Sequence, residues 1–235
     1  FNGPISEFES RKEALSDALK ASNDELKELK DEINAARVDS DAWQKIKVEL
    51  LNQADKLQMY YDEIGGKLND KNIGSESIKS LANELKSWRE KTFREYLKKS
   101  INFILIFGEA DLLKIADSRS DKISSDIIRL EKQSISKTKS LKPLFNQAQT
   151  HLKLAHDLND GAKKLLYNYF ELSSRQATDT ETSKEEIKSQ TELSEIIQIE
   201  KKPTDPQEII RDMSQKSLEE LKTAYTIFVK MSKSL

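Results

Sequence analysis

Cysteine is missing from this 235-residue chain. That removes disulfides, thiolate nucleophiles and thiolate-bound zinc, while leaving the compartment open. Histidine occurs only at positions 151 and 156. Five residues apart on a helix, His151 and His156 point roughly 140° from each other, so they do not converge on a metal. Neither follows a glutamate at Glu-X-X-His spacing, which excludes a di-iron bundle site. No asparagine stands in an Asn-X-Ser/Thr sequon, so a glycosylated role gains no support. No run of about twenty apolar residues exists to span a bilayer. No stretch alternates β-branched and polar residues as a strand would. Charge of one sign is lacking as well: 39 Lys and Arg against 41 Asp and Glu give a net charge of -2. The basic excess of a nucleic-acid-binding surface is therefore absent.

Breakers are also scarce, with 6 glycines and 4 prolines, so long helices form at little cost. What fills the chain is helical periodicity. Ile5, Phe8, Leu15, Leu19, Leu26, Leu29, Ile33 and Ala36 follow alternating four- and three-residue steps once Lys12 and Ser22 take the two remaining slots. That is a heptad seam, a period only side-by-side helices can use. A composition 34% charged and 36% hydrophobic fits narrow seams between wide solvated faces. The fold class expected is all-α: an elongated antiparallel bundle of five or six long helices with coiled-coil-like heptad seams.

Signals along the chain divide it. Residues 1–5, opening Phe1-Asn2-Gly3-Pro4, read as a flexible, processed, tagged or truncated start. Residues 6–175 form the main bundle. Its first helix opens on a capping box at Ser6 to Glu9. A second helix carries Trp43, Leu50, Ala54, Leu57, Tyr61, Ile64 and Leu68, with Gly65-Gly66 as a kink or fraying point. A third helix carries Ile78, Leu81, Leu85 and Trp88, shifts phase at Phe93, and continues through Leu97, Ile101, Ile104 and Leu105 to Ile115. Such a shift is a stutter. Ser118 to Asp121 is a turn or a polar weak spot before a fourth helix with Ile123, Ile127 and Leu130. Pro143 marks a kink or a fresh helix start. Beyond it run Leu144, Ala148, Leu152, Ala155, Ala162, Leu165 or Leu166, Tyr169 and Leu172. Residues 176–204 form a polar linker with a short helix from Ser183 to Ile199. Residues 205–235 form a last helix packing back on the bundle, capped by Asp205, opened by Pro206 and Glu208, with Ile210, Leu221, Ala224, Phe228, Met231 and Leu235 on its seam.

Chemistry has few places to reside. Asp157-Leu158-Asn159-Asp160-Gly161 resembles a calcium loop only faintly, because counting back from the glycine puts His156 where the first acidic ligand belongs. Gly161 is expected to permit a bend or a close helix crossing. Glu109 and Asp111 diverge as i and i+2 and are expected on a solvated edge. No catalytic residue, metal ligand or cofactor follows, and no enzyme is expected.

The sharpest local anomaly is Ile101-Asn102-Phe103-Ile104-Leu105-Ile106-Phe107. A helix apolar on every side is normally buried all round, here in a bundle core or under a partner. Ile101, Phe103, Ile104, Leu105, Ile106 and Phe107 are the candidate partner or membrane contacts. Tyr60 and Tyr167, off the seams, are candidate anchors. The run spans only about 10 Å as helix, too short to cross a bilayer. These features point to a non-enzymatic helical scaffold or subunit that binds other proteins, as a hetero-complex or as a homodimer through its seams, with peripheral membrane association possible. The alternatives are a membrane-acting helical protein, pore-forming or curvature-binding, and a surface or sensor bundle that binds a host factor or small ligand.

Overall fold

A computed structural model of the chain describes residues 7–133, 138–176 and 205–234. The fold is an all-α helical bundle. In order come α1 (Glu7–Ala35), α2 (Asp41–Leu68), α3 (Ser75–Trp88), a π-helical turn (Arg89–Phe93), α4 (Arg94–Lys132), α5 (Thr138–Gln176) and α6 (Pro206–Ser234), with no strand among the described residues. Two compact units result, Phe1–Ile104 and Leu105–Leu235. Their division falls within α4, inside the apolar run. The first capping-box serine, the start 1–5, the helix 183–199 and nearly all of the linker 176–204 lie outside the described residues.

In the first unit α1 and α2 form an antiparallel hairpin. Ser40 caps α2, its hydroxyl accepting from the Trp43 amide. Lys47 Nζ donates to the Asn34 and Ala36 carbonyls at 2.8 Å each, covering the C-terminal end of α1 with positive charge. Leu15, Leu19, Ser22, Leu26, Leu29 and Ile33 of α1 are buried, as are Trp43, Ile46, Leu50, Ala54, Leu57, Tyr61, Ile64 and Leu68 of α2. Each large aliphatic buried here contributes about 1.5–3 kcal/mol. Lys30 pairs with Asp55 and Gln58 donates to Asn23, tying the hairpin's outer edges. Gly65 and Gly66 leave α2 helical to Leu68. A short turn follows in which Asp70 accepts from the Asn72 amide. α3 then buries Ile78, Leu81 and Leu85.

The second unit comprises the later part of α4 with α5 and α6. α6 begins as its sequence implies, with Asp205 Oδ1 accepting from the Gln207 amide at 3.0 Å. Ala148, Ala155 and Ala162 of α5 and Ala224 of α6 are fully buried, and such small residues let helices approach closely. The approach is also close at Gly161, where an added Cβ would lie 2.3 Å from Met213 Cε. One apolar cluster gathers Leu113, Ala116, Leu152, Ala155, Leu221 and Ala224. A second gathers Ile127, Leu141, Phe145, Ala148, Ile227, Phe228 and Met231.

Two expectations need correction. α4 runs unbroken through Ser118–Asp121 to Lys132, because Ser120 is buried against the bundle and tertiary packing outweighs weak local propensity. Pro143 lies inside α5, which starts earlier, at Thr138. The proline is the sixth residue of α5, where it removes one intrahelical hydrogen bond without ending the helix.

Candidate functional site

The phase shift seen in the sequence is made by the π-helical turn. Such a turn lodges one more residue per turn than an α-helix. Trp88 precedes it and Phe93 closes it. Downstream, in the first unit, Phe93, Tyr96, Ser100 and Phe103 are buried, while Leu97, Ile101 and Ile104 are only half-buried. In the second unit Ile106, Phe107, Ala110, Leu113 and Ala116 are buried. Leu105 is half-buried, and Leu112 and Ile115 are 46% and 58% exposed. The stripe expected in the core (Leu97, Ile101, Ile104, Leu105, Ile115) is therefore one residue out of phase with the row that is buried.

The apolar run is thus not covered on all sides. Phe103 serves the first unit's core, with its ring centroid 6.4 Å from that of Trp43. Ile106 and Phe107 serve the second, where Lys163 Nζ lies 5.5 Å from the Phe107 centroid. Ile101, Ile104 and Leu105 form the outward part. Within each unit α4 accordingly carries apolar residues on two faces, and the described residues of that unit bury one of them.

Tyr60 belongs to an aromatic cluster around the π-helical turn. Its ring stacks on Trp88 at 4.1 Å, and Trp88 meets Tyr61 edge-on at 5.2 Å. Burial, reinforced by the neighbouring Glu84 carboxylate 3.4 Å from its hydroxyl, pushes the Tyr60 phenol up to about 12. Arg89 joins this cluster. Its guanidinium donates to Glu25 at 2.8 Å, to the Ser22 hydroxyl and, at 3.4 Å, to the Tyr61 hydroxyl, and lies over the Phe93 ring. This arginine was not singled out by sequence, although the broken phase beside it was the available signal. A groove beside it is floored by Ala14, Leu15, Ala18, Ile78, Ala82 and Leu85. Tyr167 is half-buried on α5, in the other unit from Tyr60.

Glu109 reverses its expected solvated place: it is 2% exposed. Asp111 does diverge from it and pairs with Lys114 at 3.3 Å. Asn159 explains how a carboxyl group is tolerated inside, since its Nδ2 donates to Glu109 Oε2 and to the Ile106 carbonyl, each at 3.0 Å. The Ser217 hydroxyl lies beside the carboxyl group, but its single proton goes to the Ala155 carbonyl at 2.6 Å, leaving Glu109 Oε1 without a hydrogen bond. Burial raises the Glu109 pKa above the ordinary carboxyl value. The neighbouring Ser217 and Asn159 side chains, Lys163 and His156 oppose it only in part. Neither histidine is a free surface group. His151 meets Glu220 at 2.5 Å and His156 meets Asp117 at 2.9 Å, linking α5 to α6 and to α4.

At the far end of the second unit the helices leave a cavity of about 280 Å³. Ile123, Ile127, Leu130, Leu141, Phe228 and Met231 form its walls, and Arg119 and Lys122 stand at its rim. Among the described residues no group of three or more metal-ligating side chains occurs, and no helix is long and apolar enough to cross a membrane.

By fold, this protein belongs to the all-α helical bundles. No family model, curated protein or solved structure matches the chain.

Proposed function

We propose that the protein is a non-enzymatic helical scaffold whose α4 binds a helix of another protein. The observation that supports this reading is the outward row of α4. In the first unit it consists of Leu97, Ile101 and Ile104; in the second it comprises Leu105, Leu112 and Ile115. Within the first unit the steps are four and three residues, and within the second seven and three, the pattern by which an amphipathic partner helix is bound in a groove or seam. In the first unit the inward row includes Tyr96 and Ser100, whereas the outward Leu97, Ile101 and Ile104 are all aliphatic. Apolar residues scattered singly over a surface need no explanation, whereas an aligned row is the mark of an interaction face.

The test is an affinity pull-down of the full chain from its native source, compared with the double variant Leu112→Glu, Ile115→Lys. Both positions are exposed, so the variant keeps the helical content and melting temperature of the wild type. A stoichiometric protein partner recovered with the wild type and lost with the variant is the expected result. Recovery of the same partner by both chains, or of none by either, sinks the proposal.

A further inference from the structure

We propose that the cavity at the end of the second unit binds a medium-chain alkyl carboxylate, a ligand class separate from any protein partner on α4. Its interior is the floor of a packed core: Ile127, Leu141, Phe228 and Met231 are all buried, yet they border about 280 Å³ of open space. An apolar cavity of about 150 Å³ stays dry and admits benzene. This one therefore accommodates roughly twice that bulk, about ten alkyl carbons. Pockets between the helices of bundles are common ligand sites, with a few polar groups fixing orientation.

Charge at the rim selects the head group. Arg119 and Lys122, three residues apart on α4, share a helix face, and both are exposed at the mouth. The one rim carboxylate, Asp126, is paired with Arg129 at 3.1 Å. Arg119 lies over the Tyr225 ring, 5.3 Å from its centroid, and among the described residues neither Arg119 nor Lys122 has an ion pair. Two cations above an apolar shaft match a carboxylate above an alkyl tail. A cationic head would be repelled by them, and a neutral one would gain nothing from them.

The chain's 3 methionines make the test site-specific. Met231 lines the cavity, Met213 sits at the α5–α6 crossing, and Met59 is exposed on α2. With methyl-labelled methionine in the full chain, decanoate is titrated below its micelle concentration and the three methyl NMR signals are followed. The Met231 signal is expected to shift saturably with one site per chain while Met59 and Met213 stay in place. Lys122→Glu is expected to weaken that binding at least tenfold, and Ile123→Phe, which narrows the cavity, to do the same without altering charge. The assignment is overturned if Met231 shows no saturable shift, if Met59 shifts in parallel, or if decyltrimethylammonium binds as well as decanoate.

Discussion

Gly161 offers the sharpest test of how tightly α5 and α6 are packed. Replacing a mid-helix glycine by alanine ordinarily stabilises a helix by about 0.8–1 kcal/mol. At Gly108 of α4 an added Cβ meets nothing within 4 Å, so Gly108→Ala should deliver that full gain. At Gly161 the same Cβ would stand 2.3 Å from Met213 Cε, while ordinary contact begins at 3.4 Å. The methionine methyl must then retreat by about 1 Å. Met213 is flexible at that end but buried, so its retreat disturbs packed neighbours at about 1–3 kcal/mol. The net expectation is that Gly161→Ala destabilises by about 1 kcal/mol, placing the two variants about 2 kcal/mol apart. Both residues lie in the same unit, so urea unfolding at unchanged m reads them on one transition. Met213→Ala alone should cost about 2–4 kcal/mol, but with that methyl gone Gly161→Ala should become stabilising. If Gly161→Ala stabilises the wild type as much as Gly108→Ala does, the close crossing is refuted.

Two further expectations concern ionisation. Glu109 has a raised folded pKa, so its stabilising contribution is complete below the ordinary carboxyl value and is lost as pH rises through the folded value. Glu109→Gln keeps an acceptor for Asn159 and gains a donor for Ser217, so it should stabilise by about 1–3 kcal/mol at neutral pH and by little in acid. Thermal melts across pH would oppose this if the advantage of glutamine stayed constant. Among the 6 tyrosines, Tyr60 should ionise late, near pH 12. Burial also raises Tyr61 and Tyr96, so phenolate absorbance titration of Tyr60→Phe should lose one phenol from the late step, and Glu84→Gln should move that phenol down. An unchanged high-pH profile in both variants would count against the Tyr60–Glu84 contact.

Element class and much of the core were legible because α2's seam is unambiguous: all seven positions read from Trp43 to Leu68 are buried. α4 was harder for a physical reason. Counting from Phe93, steps of three and four reach either Tyr96, Ser100 and Phe103 or Leu97, Ile101 and Ile104. Hydrophobicity favours the second set, while packing buries the first. Glu109 reads as a solvated-edge residue because it and Asp111 diverge as i and i+2. The amide of Asn159 that makes its burial tolerable lies fifty residues away in sequence, and no local pattern links them. Arg89 was invisible for a similar reason: its partners Ser22, Glu25 and Tyr61 come from two other helices. The cavity depends on how three helix ends diverge, which periodicity does not encode.

The π-helical turn gives chain length a different meaning at different places along α3 and α4. It holds one surplus residue, so a chain lacking Glu90 could close the turn into ordinary α-helix with Phe93, Tyr96, Ser100 and Phe103 still facing inward. A residue lost a turn or two later has no such reservoir to draw on. Deleting Lys98 would swing everything beyond it by about 100° and deliver Ile101 and Ile104 to the positions of Ser100 and Phe103. Over the lifetime of such a gene, the loss of a single codon is therefore absorbed at Arg89–Phe93, whereas a few residues downstream the same loss exchanges the inside of the helix for its outside.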